Sequence, residues 1–378
     1  MQITKKIHDE SGIASIFVVI FAAILMSVVS VSFITVMLQS QRQATNDELS
    51  QTAYDSATSG VEDAKRAIAF CLQNSSPTNG CQDTTNGLGS QNCQTLSRIS
   101  GLGIATSTDP ATGNVEYPIQ GSEGANTLNQ AYTCVTINNT PSDYAADMGA
   151  NTSTVIPLNT STSSNTLTFQ WKALPGHTFT AMPTSTTGFL DFGTWSTRQK
   201  YPPVIRLQLI RGVGNPEDST NASTLFLYPS SIGSPTADFA VDFVHSAPTT
   251  GKPAFIFCGT GGNSCSVLLK DTAVPSGNIV TDRSREPINY LVVTPLYGDA
   301  SITMKLSGGN YFVGLQDVVD STGRANDLFR RLQARVDLIP HPTYPNAELS
   351  LTGPLCKNFA VTLTAIDTTS YAGACRTN

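Results

Sequence analysis

The chain has 378 residues, of which 13% are charged and 40% hydrophobic, and its formal net charge is −6. These values are typical of a folded protein and leave room for one large domain or two modest ones. Lysine and arginine together number only 22 and are scattered along the chain. The sequence therefore offers no broad basic surface, and nucleic acid is not predicted as a partner.

The N-terminal end of the chain is a short polar segment followed by a long apolar one. Residues 1–12 (MQITKKIHDESG) carry Lys5 and Lys6, and residues 13–38 contain neither a charged residue nor a proline. An α-helix over this apolar segment extends about 39 Å, which is enough to cross a hydrocarbon core of about 30 Å with some tilt. The two lysines precede the segment and only Arg42 lies just after it, so the N-terminus is expected in the cytoplasm. We predict a single-pass membrane helix over 13–38, with the rest of the chain exported.

A cleaved secretory signal peptide is the obvious alternative for such an N-terminus. The apolar region of such a peptide is about 7–15 residues long and ends at a small-residue cleavage site. Here the apolar run is longer, it passes into a polar segment without a helix breaker, and no A-x-A site follows it. A conventional cleaved signal is therefore disfavoured. A buried helix of a soluble protein is disfavoured as well, because such helices rarely extend this far without a charge.

Residues 39–72 continue the helical pattern in amphipathic form and contain no proline. Glu62 and Arg66 are spaced for an i,i+4 ion pair, and Gly60 is expected to be a flexible point. We predict one helix over 13–72, with its first half in lipid and its second half docked on a globular head. The docked face is marked by apolar or small residues at three- and four-residue steps, namely Leu49, Ala53, Ala57, Val61, Ala64, Ile68 and Cys71.

The basic leader, the apolar segment and the amphipathic continuation together resemble the class III signal of type IV prepilins and pseudopilins. The segment SGIASIFVVIFAAILMSVVSVSFITVMLQSQRQATNDELSQTAYDSATSGVEDAKRAI is especially similar to PilX-type minor pilins. In that family a membrane aspartyl prepilin peptidase cuts after the glycine and methylates the new N-terminus. The resemblance implies cleavage between Gly12 and Ile13, where the missing side chain of glycine lets a protease approach the backbone. It also implies three kinds of partner: other pilin subunits through the N-terminal helix, the prepilin peptidase and the inner-membrane assembly machinery.

One position departs from the pattern of major pilins, which carry a glutamate as the fifth residue of the mature chain. Phe17 occupies that position here. In such fibres the carboxylate neutralises the N-terminal ammonium of a neighbouring subunit inside an apolar bundle, where an unpaired charge is costly. PilX-type pilins and the tip-forming K-type pseudopilins also often lack this glutamate. The resemblance therefore implies a minor subunit, at the tip of the fibre or initiating its assembly.

Two other functions stay open. A type II secretion pseudopilin shares the same N-terminal pattern but belongs to a short periplasmic assembly. A surface adhesin or ectodomain could be held instead by an uncleaved N-terminal signal anchor. In each case the exported head is a candidate for contact with a surface receptor.

No pattern of catalytic or metal-binding residues is found in the sequence. It contains no G-x-S-x-G element, phosphate-binding loop or EF-hand ligand series, and the glycine-rich CGTGGNSC lacks the lysine and helix that a phosphate loop requires. The cluster Asp317, Asp320, Asn326 and Asp327 could gather calcium, but loop carboxylates usually face water. We expect no enzymatic activity, no cofactor and no metal site. None of the four histidines is spaced for a metal, these being His8, His177, His245 and His341.

The cysteines indicate export, because all of them lie beyond the apolar segment: Cys71, Cys81, Cys93, Cys134, Cys258, Cys265, Cys356 and Cys375. An even number on the non-cytoplasmic side predicts disulfides. Pairing of near neighbours is the economical choice, with two bonds among the first four cysteines, then Cys258–Cys265 and Cys356–Cys375. The pairing stays open, since about a hundred connectivities exist for this number. Zinc is disfavoured because no pair has C-x2–4-C spacing. The Cys356–Cys375 loop resembles the C-terminal disulfide loop of many pilins.

The remaining residues, 73–378, are predicted to form a mostly antiparallel β head, so that the expected fold class is α+β. A Ser/Thr-rich stretch over 149–188 is interpreted as a decorated loop, a boundary between lobes or a set of edge strands. Alternation and β-branched residues predict strands at Val204–Arg211, Thr224–Tyr228, Phe239–Val244, Ala254–Cys258, Ser266–Lys270, Tyr290–Val293, Ser301–Leu306, Leu328–Leu338 and Phe359–Ala365.

Overall fold

A single long helix, α1 (Ser11–Gln73), precedes every strand of the chain, and a short helix, α2 (Thr95–Arg98), follows it. The uninterrupted helix agrees with the absence of proline from this stretch, since an interior proline would remove a backbone hydrogen bond. The computed structural model describes residues 11–74, 79–81, 88–108, 113–119, 129–174, 201–212, 222–231, 240–243, 254–258, 264–271, 278–282, 288–338 and 343–344, with the backbone alone for 11–15 and 343–344.

Eighteen strands are found in the described part of the chain. In chain order they are β1 (Ser107–Thr108), β2 (Val115–Pro118), β3 (Ala131–Asn138), β4 (Asp143–Met148), β5 (Ser153–Pro157), β6 (Asn159–Thr160), β7 (Thr166–Lys172), β8 (Val204–Ile210), β9 (Ala222–Ser230), β10 (Ala240–Asp242), β11 (Ala254–Phe257), β12 (Ser264–Lys270), β13 (Thr281–Asp282), β14 (Tyr290–Leu296), β15 (Ala300–Lys305), β16 (Gln316–Ala325), β17 (Leu328–Asp337) and β18 (Thr343–Tyr344).

One lobe, called here the helix lobe, contains α1, α2 and the five-stranded sheet β1-β2-β3-β16-β17. All four strand pairs in this sheet are antiparallel. The second half of α1 lies across β3, β16 and β17. Its apolar face and the sheet share one hydrophobic core, which includes Ile68, Leu96, Tyr132 and Ile137. The expected long helix on a mostly antiparallel β region is therefore confirmed.

A second lobe, the sandwich lobe, contains β4–β15 and β18. It has two larger sheets, with strand orders β10-β12-β7-β15-β4 and β11-β9-β8-β14-β5-β18, and the small pair β13-β6. Side chains of both larger sheets join one core, including Phe169 and Trp171 of β7 and Leu207 of β8, so the sheets pack face to face. At one end a buried ion pair joins them: Arg211, after β8, contacts Asp271, after β12, at 2.7 Å.

Apart from β18, which follows β17, the sandwich lobe is an insertion in the helix lobe. Strands β3 and β16 are direct neighbours in the helix-lobe sheet, with Ile137 opposite Val319, yet β4–β15 lie between them in the sequence. The chain thus leaves the sheet at the end of β3, builds the sandwich and returns to the adjacent position. The sequence left open whether 73–378 forms one domain or two, and a boundary between lobes was one interpretation of 149–188. That one lobe would be inserted between neighbouring strands of the other was not predicted.

A polar contact joins the two lobes where the chain crosses between them. The side-chain amide of Gln316 forms two hydrogen bonds with the backbone of Ala145, one accepted from N (3.2 Å) and one donated to O (3.0 Å). The side chain of Gln316 thereby bonds to the edge strand β4 as the backbone of a neighbouring strand would. Arg335 of β17 adds a 2.7 Å ion pair with Asp143 at the start of β4. Because Gln316 is 3% exposed, breaking this contact would leave buried polar groups unpaired.

Eight of the predicted strands coincide with β8, β9, β10, β11, β12, β14, β15 and β17, and the ninth, Phe359–Ala365, lies outside the described residues. The Ser/Thr-rich stretch holds β5, β6 and β7. Of these β7 is a central strand, with β12 and β15 on either side, and its Trp171 is fully buried. Strand β7 was not predicted because the stretch is rich in serine and threonine, although threonines alternate with core residues in the strand itself. The part of the stretch from 175 to 188 lies outside the described residues.

The treatment of the disfavoured calcium candidates Asp317, Asp320, Asn326 and Asp327 as loop residues is wrong for the first two. Asp317 and Asp320 belong to β16 and face opposite sides of the sheet, because their separation is odd. Asp320 is paired with Arg331 at 2.6 Å, whereas Asp317 is 3% exposed and faces the end of the helix. Only Asn326 and Asp327 lie in the turn, which joins β16 to β17. Strand β16 was not predicted because most side chains on its helix-facing side are small or polar and give no apolar alternation.

Asp317 carries a buried carboxyl group, and burial raises its pKa to about 7. Since the folded chain binds this proton more tightly than the unfolded chain, whose aspartate pKa is near 4, folding stability falls as the pH rises from about 4 to about 7. Above about pH 7 the carboxyl group is ionised in the folded chain, and the full free-energy cost of burying its charge opposes folding. No described side chain offers a compensating positive charge in the cavity that Asp317 lines.

The Asp317→Asn chain should therefore match the unmodified chain in stability at pH 4 and exceed it at pH 8 by about 2–4 kcal/mol. Urea denaturation followed by circular dichroism, on the full chain in detergent micelles at both pH values, measures this difference. Asp320→Asn on the opposite face of β16 is the matched control and should show no such gain. Equal urea midpoints for Asp317→Asn and the unmodified chain at pH 8 would contradict the expectation.

Candidate functional site: the N-terminal helix and its docking surface

The first half of α1 is apolar on every side and is not covered by the described part of the head. Its large hydrophobic residues from Ile16 to Leu38 are each between 51% and 74% exposed. The helix over Ile16–Gln73 contains an 18-residue window of mean hydropathy 2.8, none of which is buried. By length and composition this helix can cross a membrane. Its exposed surface requires an apolar environment or the apolar surfaces of other molecules.

The few polar side chains in this apolar half are satisfied within the helix itself. Each hydroxyl donates to a backbone carbonyl one turn earlier: Ser27 to Ile24, Ser30 to Met26, Ser32 to Val28 and Thr35 to Val31, at 2.8–2.9 Å. Unsatisfied polar groups are costly in hydrocarbon, and this pattern removes that cost. The serines and threonines are therefore compatible with a lipid or protein-bundle environment.

The second half of α1 is held on the sheet by a row of very small residues. Four alanines and one serine are fully buried there, namely Ala53, Ser56, Ala57, Ala64 and Ala67. Small side chains allow the helix axis to lie closer to the sheet than leucine or phenylalanine would permit. Larger residues appear only toward the C-terminal end, where Val61, Ile68 and Cys71 enter the helix-lobe core.

Two glycines mark the closest approach between helix and sheet. A Cβ atom added to Gly323 of β16 would overlap the backbone oxygen of Ala53 and the backbone nitrogen of Ala57. On the helix side, a Cβ added to Gly60 would overlap the hydroxyl of Ser321. The expectation that Gly60 is a flexible point is wrong, because it lies inside a continuous helix and its missing side chain serves close packing.

Polar contacts fix the helix at the edges of this apolar surface. The hydroxyl of Tyr132 on β3 donates to Asp63 at 2.6 Å, and burial, followed by the neighbouring carboxylate, raises the pKa of this tyrosine above its usual value. The predicted i,i+4 pair between Glu62 and Arg66 is wrong. Arg66 instead contacts Asp63 at 2.8 Å, and Lys65 contacts Glu62 at 2.6 Å, both with i,i+3 spacing. Asp63 thus accepts a hydrogen bond from Tyr132 and also forms an ion pair with Arg66, which balances the carboxylate charge.

Three disulfides are found in the described part of the chain, which contains no free cysteine. Cys71–Cys81 closes the end of α1, and Cys93–Cys134 joins the loop before α2 to β3. Cys258–Cys265 connects β11 to β12 within the sandwich lobe. These agree with the near-neighbour pairing expected from the sequence. Cys356 and Cys375 lie outside the described residues.

The residues of the expected cleavage site fall at the beginning of the described chain. Gly12 and Ile13 are helical in backbone, in the first turn of α1, and Lys5 and Lys6 lie outside the described residues. Phe17 is 68% exposed on the apolar half. No side chain of the described head covers Phe17.

Metal-binding clusters are not found in the described part of the chain. No group of three or more His, Cys, Asp and Glu side chains is placed there to hold a metal ion. The strongly apolar half-helix and its close docking are therefore the features with the clearest functional implication. Sequence reasoning identified the helix but missed Gly323, Ser321 and Tyr132, since no local pattern distinguishes a helix-facing strand.

Comparisons with known proteins add little. No protein-family model matches the chain, and no curated protein is similar to it. One solved structure, described as the complete structure of manganese lipoxygenase of Gaeumannomyces graminis and partial structure of zonadhesin of Komagataella pastoris, aligns with 62% of this chain and 70% of its own at 8% identity and a TM-score of 0.14. A likeness at that level carries no argument about fold or function.

The contact at Gly323 yields a test of helix docking. Gly323→Ala should detach the second half of α1 from the sheet, because backbone atoms of the helix cannot move aside as a flexible side chain could. We expect a loss of about 3 kcal/mol, the upper end for overpacked cores. Hydrogen–deuterium exchange over 49–73 should accelerate about a hundredfold.

Gly149→Ala is the matched control for this substitution. A Cβ there meets nothing nearer than 3.6 Å, so exchange over 49–73 should be unchanged. Unaltered exchange in Gly323→Ala as well would show that the helix is not held as closely as the geometry of this contact requires.

Proposed function

We propose that this protein is a minor structural subunit of a type IV pilus-type extracellular fibre, located at the tip or initiating assembly. In this proposal the precursor crosses the cell membrane once, with its N-terminus in the cytoplasm. Prepilin peptidase cuts it between Gly12 and Ile13. The mature chain then enters the fibre through α1, driven by the inner-membrane assembly machinery.

The observation that carries the proposal is the division of α1 into two halves of opposite environment. One half is exposed and apolar without interruption, while the other is buried against an antiparallel sheet of the same chain. A helix of this kind is suited to two successive surroundings, lipid before assembly and the helices of other subunits afterwards. The close docking at Gly323 and Gly60 transmits any pull on the helix directly to the head.

Two features favour a minor or terminal place over a repeating one. Phe17 cannot neutralise a neighbouring N-terminal ammonium, so a subunit enclosed within the bundle would leave that charge unpaired. The head also carries an inserted sandwich lobe in addition to the sheet that supports the helix. Such bulk is hard to repeat at short axial steps but is unrestricted at a tip, where the head is available to contact a surface receptor.

Processing is the first test of the proposal. Intact-mass spectrometry of the protein, expressed with its native machinery, should show a mature chain that begins at Ile13 and carries an N-terminal methyl group. Gly12→Leu should leave uncut precursor in the membrane, because a bulky side chain blocks access to the backbone. Gly12→Ala is the matched control and should retain part of the cleavage.

The mature N-terminus also separates the alternatives. A chain that still begins at Met1 would support an adhesin held by an uncleaved anchor, and one that begins beyond residue 38 would support an ordinary secretory signal. Both results contradict the pilin proposal. Cleavage at Ile13 with no protein in sheared surface fibres would support a type II secretion pseudopilin instead.

Position in the fibre is the second test. Immunogold labelling should place a few copies at fibre ends, since an unpaired ammonium disfavours internal sites. Phe17→Glu supplies the missing carboxylate and should add label along the shafts, whereas Phe17→Leu, the apolar control, should stay at the ends. Dense labelling of whole shafts by the unmodified protein would mean that it is a major subunit.

A further inference from the structure

A cavity of about 980 Å³ lies at the junction of the two lobes. Its wall combines the end of α1, the start of β16 and one side of the sandwich lobe, and includes Leu72, Asp317, Asn159, Tyr290 and Tyr311. The volume is of the size that small-molecule sites reach, and lobe interfaces are where such sites often occur. From Leu38 to Leu72 the helix rises about 50 Å, so the cavity is far from the apolar half.

One polar group in this wall has no partner among the described residues. The carboxyl group of Asp317, on a residue 3% exposed, makes no hydrogen bond or ion pair with the described residues. The side-chain oxygen of Asn159 also lacks a hydrogen bond, but it is buried beneath the wall and not accessible from the cavity, while its nitrogen donates to Val313 at 3.4 Å. Buried acceptors without partners are rare in folded proteins and call for a donor from outside the chain.

The chemistry of the wall limits the class of that donor. No lysine, arginine or histidine is among the described residues that line the cavity, so phosphate, sulfate and carboxylate ligands would find no counter-charge. Asp317 is the only carboxylate among them, and its raised pKa leaves it partly protonated near neutral pH. An organic ammonium would therefore lack a fully charged partner. The remaining class is an uncharged molecule with several hydroxyl groups.

The aromatic residues add a preference for a ring with an apolar face. Tyr290 is 40% exposed, and Tyr311 lies in the same wall. A sugar ring offers hydroxyl donors at its edge and C–H groups on its face, which match the acceptors and the tyrosines respectively. We propose that the junction cavity binds a neutral saccharide through hydrogen bonds to Asp317 and ring contact with Tyr290. This deepens the receptor contact of the proposed function, yet it depends on neither cleavage at Gly12 nor fibre assembly.

The test uses the full chain in micelles of a detergent that has no sugar headgroup. The probes are four neutral disaccharides: lactose, maltose, N-acetyllactosamine and chitobiose. Glucosamine and sialic acid represent the cationic and anionic classes. Saturation-transfer NMR detects binding, and titration gives the dissociation constant. We expect at least one neutral disaccharide to bind, and neither charged sugar to bind more tightly.

Substitutions locate the site. Asp317→Ala and Tyr290→Ala should each weaken binding about tenfold, since each removes a contact to the sugar. Asp317→Asn keeps an acceptor oxygen and should retain most of the affinity. Phe226→Ala is the matched control, because Phe226 is an aromatic residue of the same lobe that is 38% exposed and does not line the cavity. Fluorescence of the buried Trp171 checks that each variant is folded.

Three results would overturn the proposal. The first is the absence of binding by every neutral disaccharide. The second is binding that neither Asp317→Ala nor Tyr290→Ala weakens, which would place the sugar elsewhere. The third is tighter binding of glucosamine, which would make this a site for organic cations. Should Asp317→Ala fail to fold, Tyr290→Ala at its half-exposed position still decides the outcome. All of these results are independent of where the mature chain begins.

Discussion

The contact between α1 and β16 is the constraint on which the rest of the molecule depends. At Gly323 the strand backbone meets the helix backbone with no side chain between them, and at Gly60 the helix backbone lies directly against the side chain of Ser321. Because protein interiors are densely packed, this approach fixes the height and rotation of the helix on the sheet. Strands β3 and β17, on either side of β16, then supply the polar contacts that hold its edges, from Tyr132 to Asp63 and from Arg330 to Ser50.

Close docking explains how the two halves of one helix can have opposite surroundings. An apolar helix that merely rested on the head could fold back and bury its exposed half on the protein's own surface. A helix locked along residues 53–71 projects its first half away, with its large hydrophobic residues uncovered. Rigid projection keeps that half available for lipid or for other helices. The stability of the helix docking and the function proposed here therefore depend on the same few glycines and alanines.

The inserted sandwich lobe enlarges the head without disturbing this docking. It leaves the sheet after β3 and returns at β16, so its chain crossings lie beside the end of the helix. Gln316 and Arg335 join the lobes there, and next to them Asp317 lines the junction cavity. The start of β16 therefore carries both Gln316, which joins the lobes, and Asp317, whose carboxyl group lines the cavity. This arrangement buries a carboxyl group and raises its pKa to about 7, so its ionisation at higher pH lowers the folding stability.

Much of the architecture is readable along the chain wherever one pattern repeats. The 3.6-residue period and the absence of proline predict α1, and the disulfide pairs of the described residues follow from nearness in sequence. Strands with strict alternation, such as β8 and β17, are recognised for the same reason. Strand β7 alternates as strictly, but it lies in a stretch rich in serine and threonine, and this composition hides a central strand whose Phe169 and Trp171 are fully buried.

The amino-acid sequence by itself determined the local features of this protein: the long helix, its apolar first half, the departure at Phe17 and the α+β class. Only the tertiary structure decided which residues contact one another. Asp317 could be judged a solvated loop residue until β16 was found beneath the helix. Gly60 could be judged a hinge until Ser321 was found above it. The reason is physical: periodicity and charge are properties of neighbours in the chain, whereas close approach, burial and a raised pKa arise between residues hundreds of positions apart.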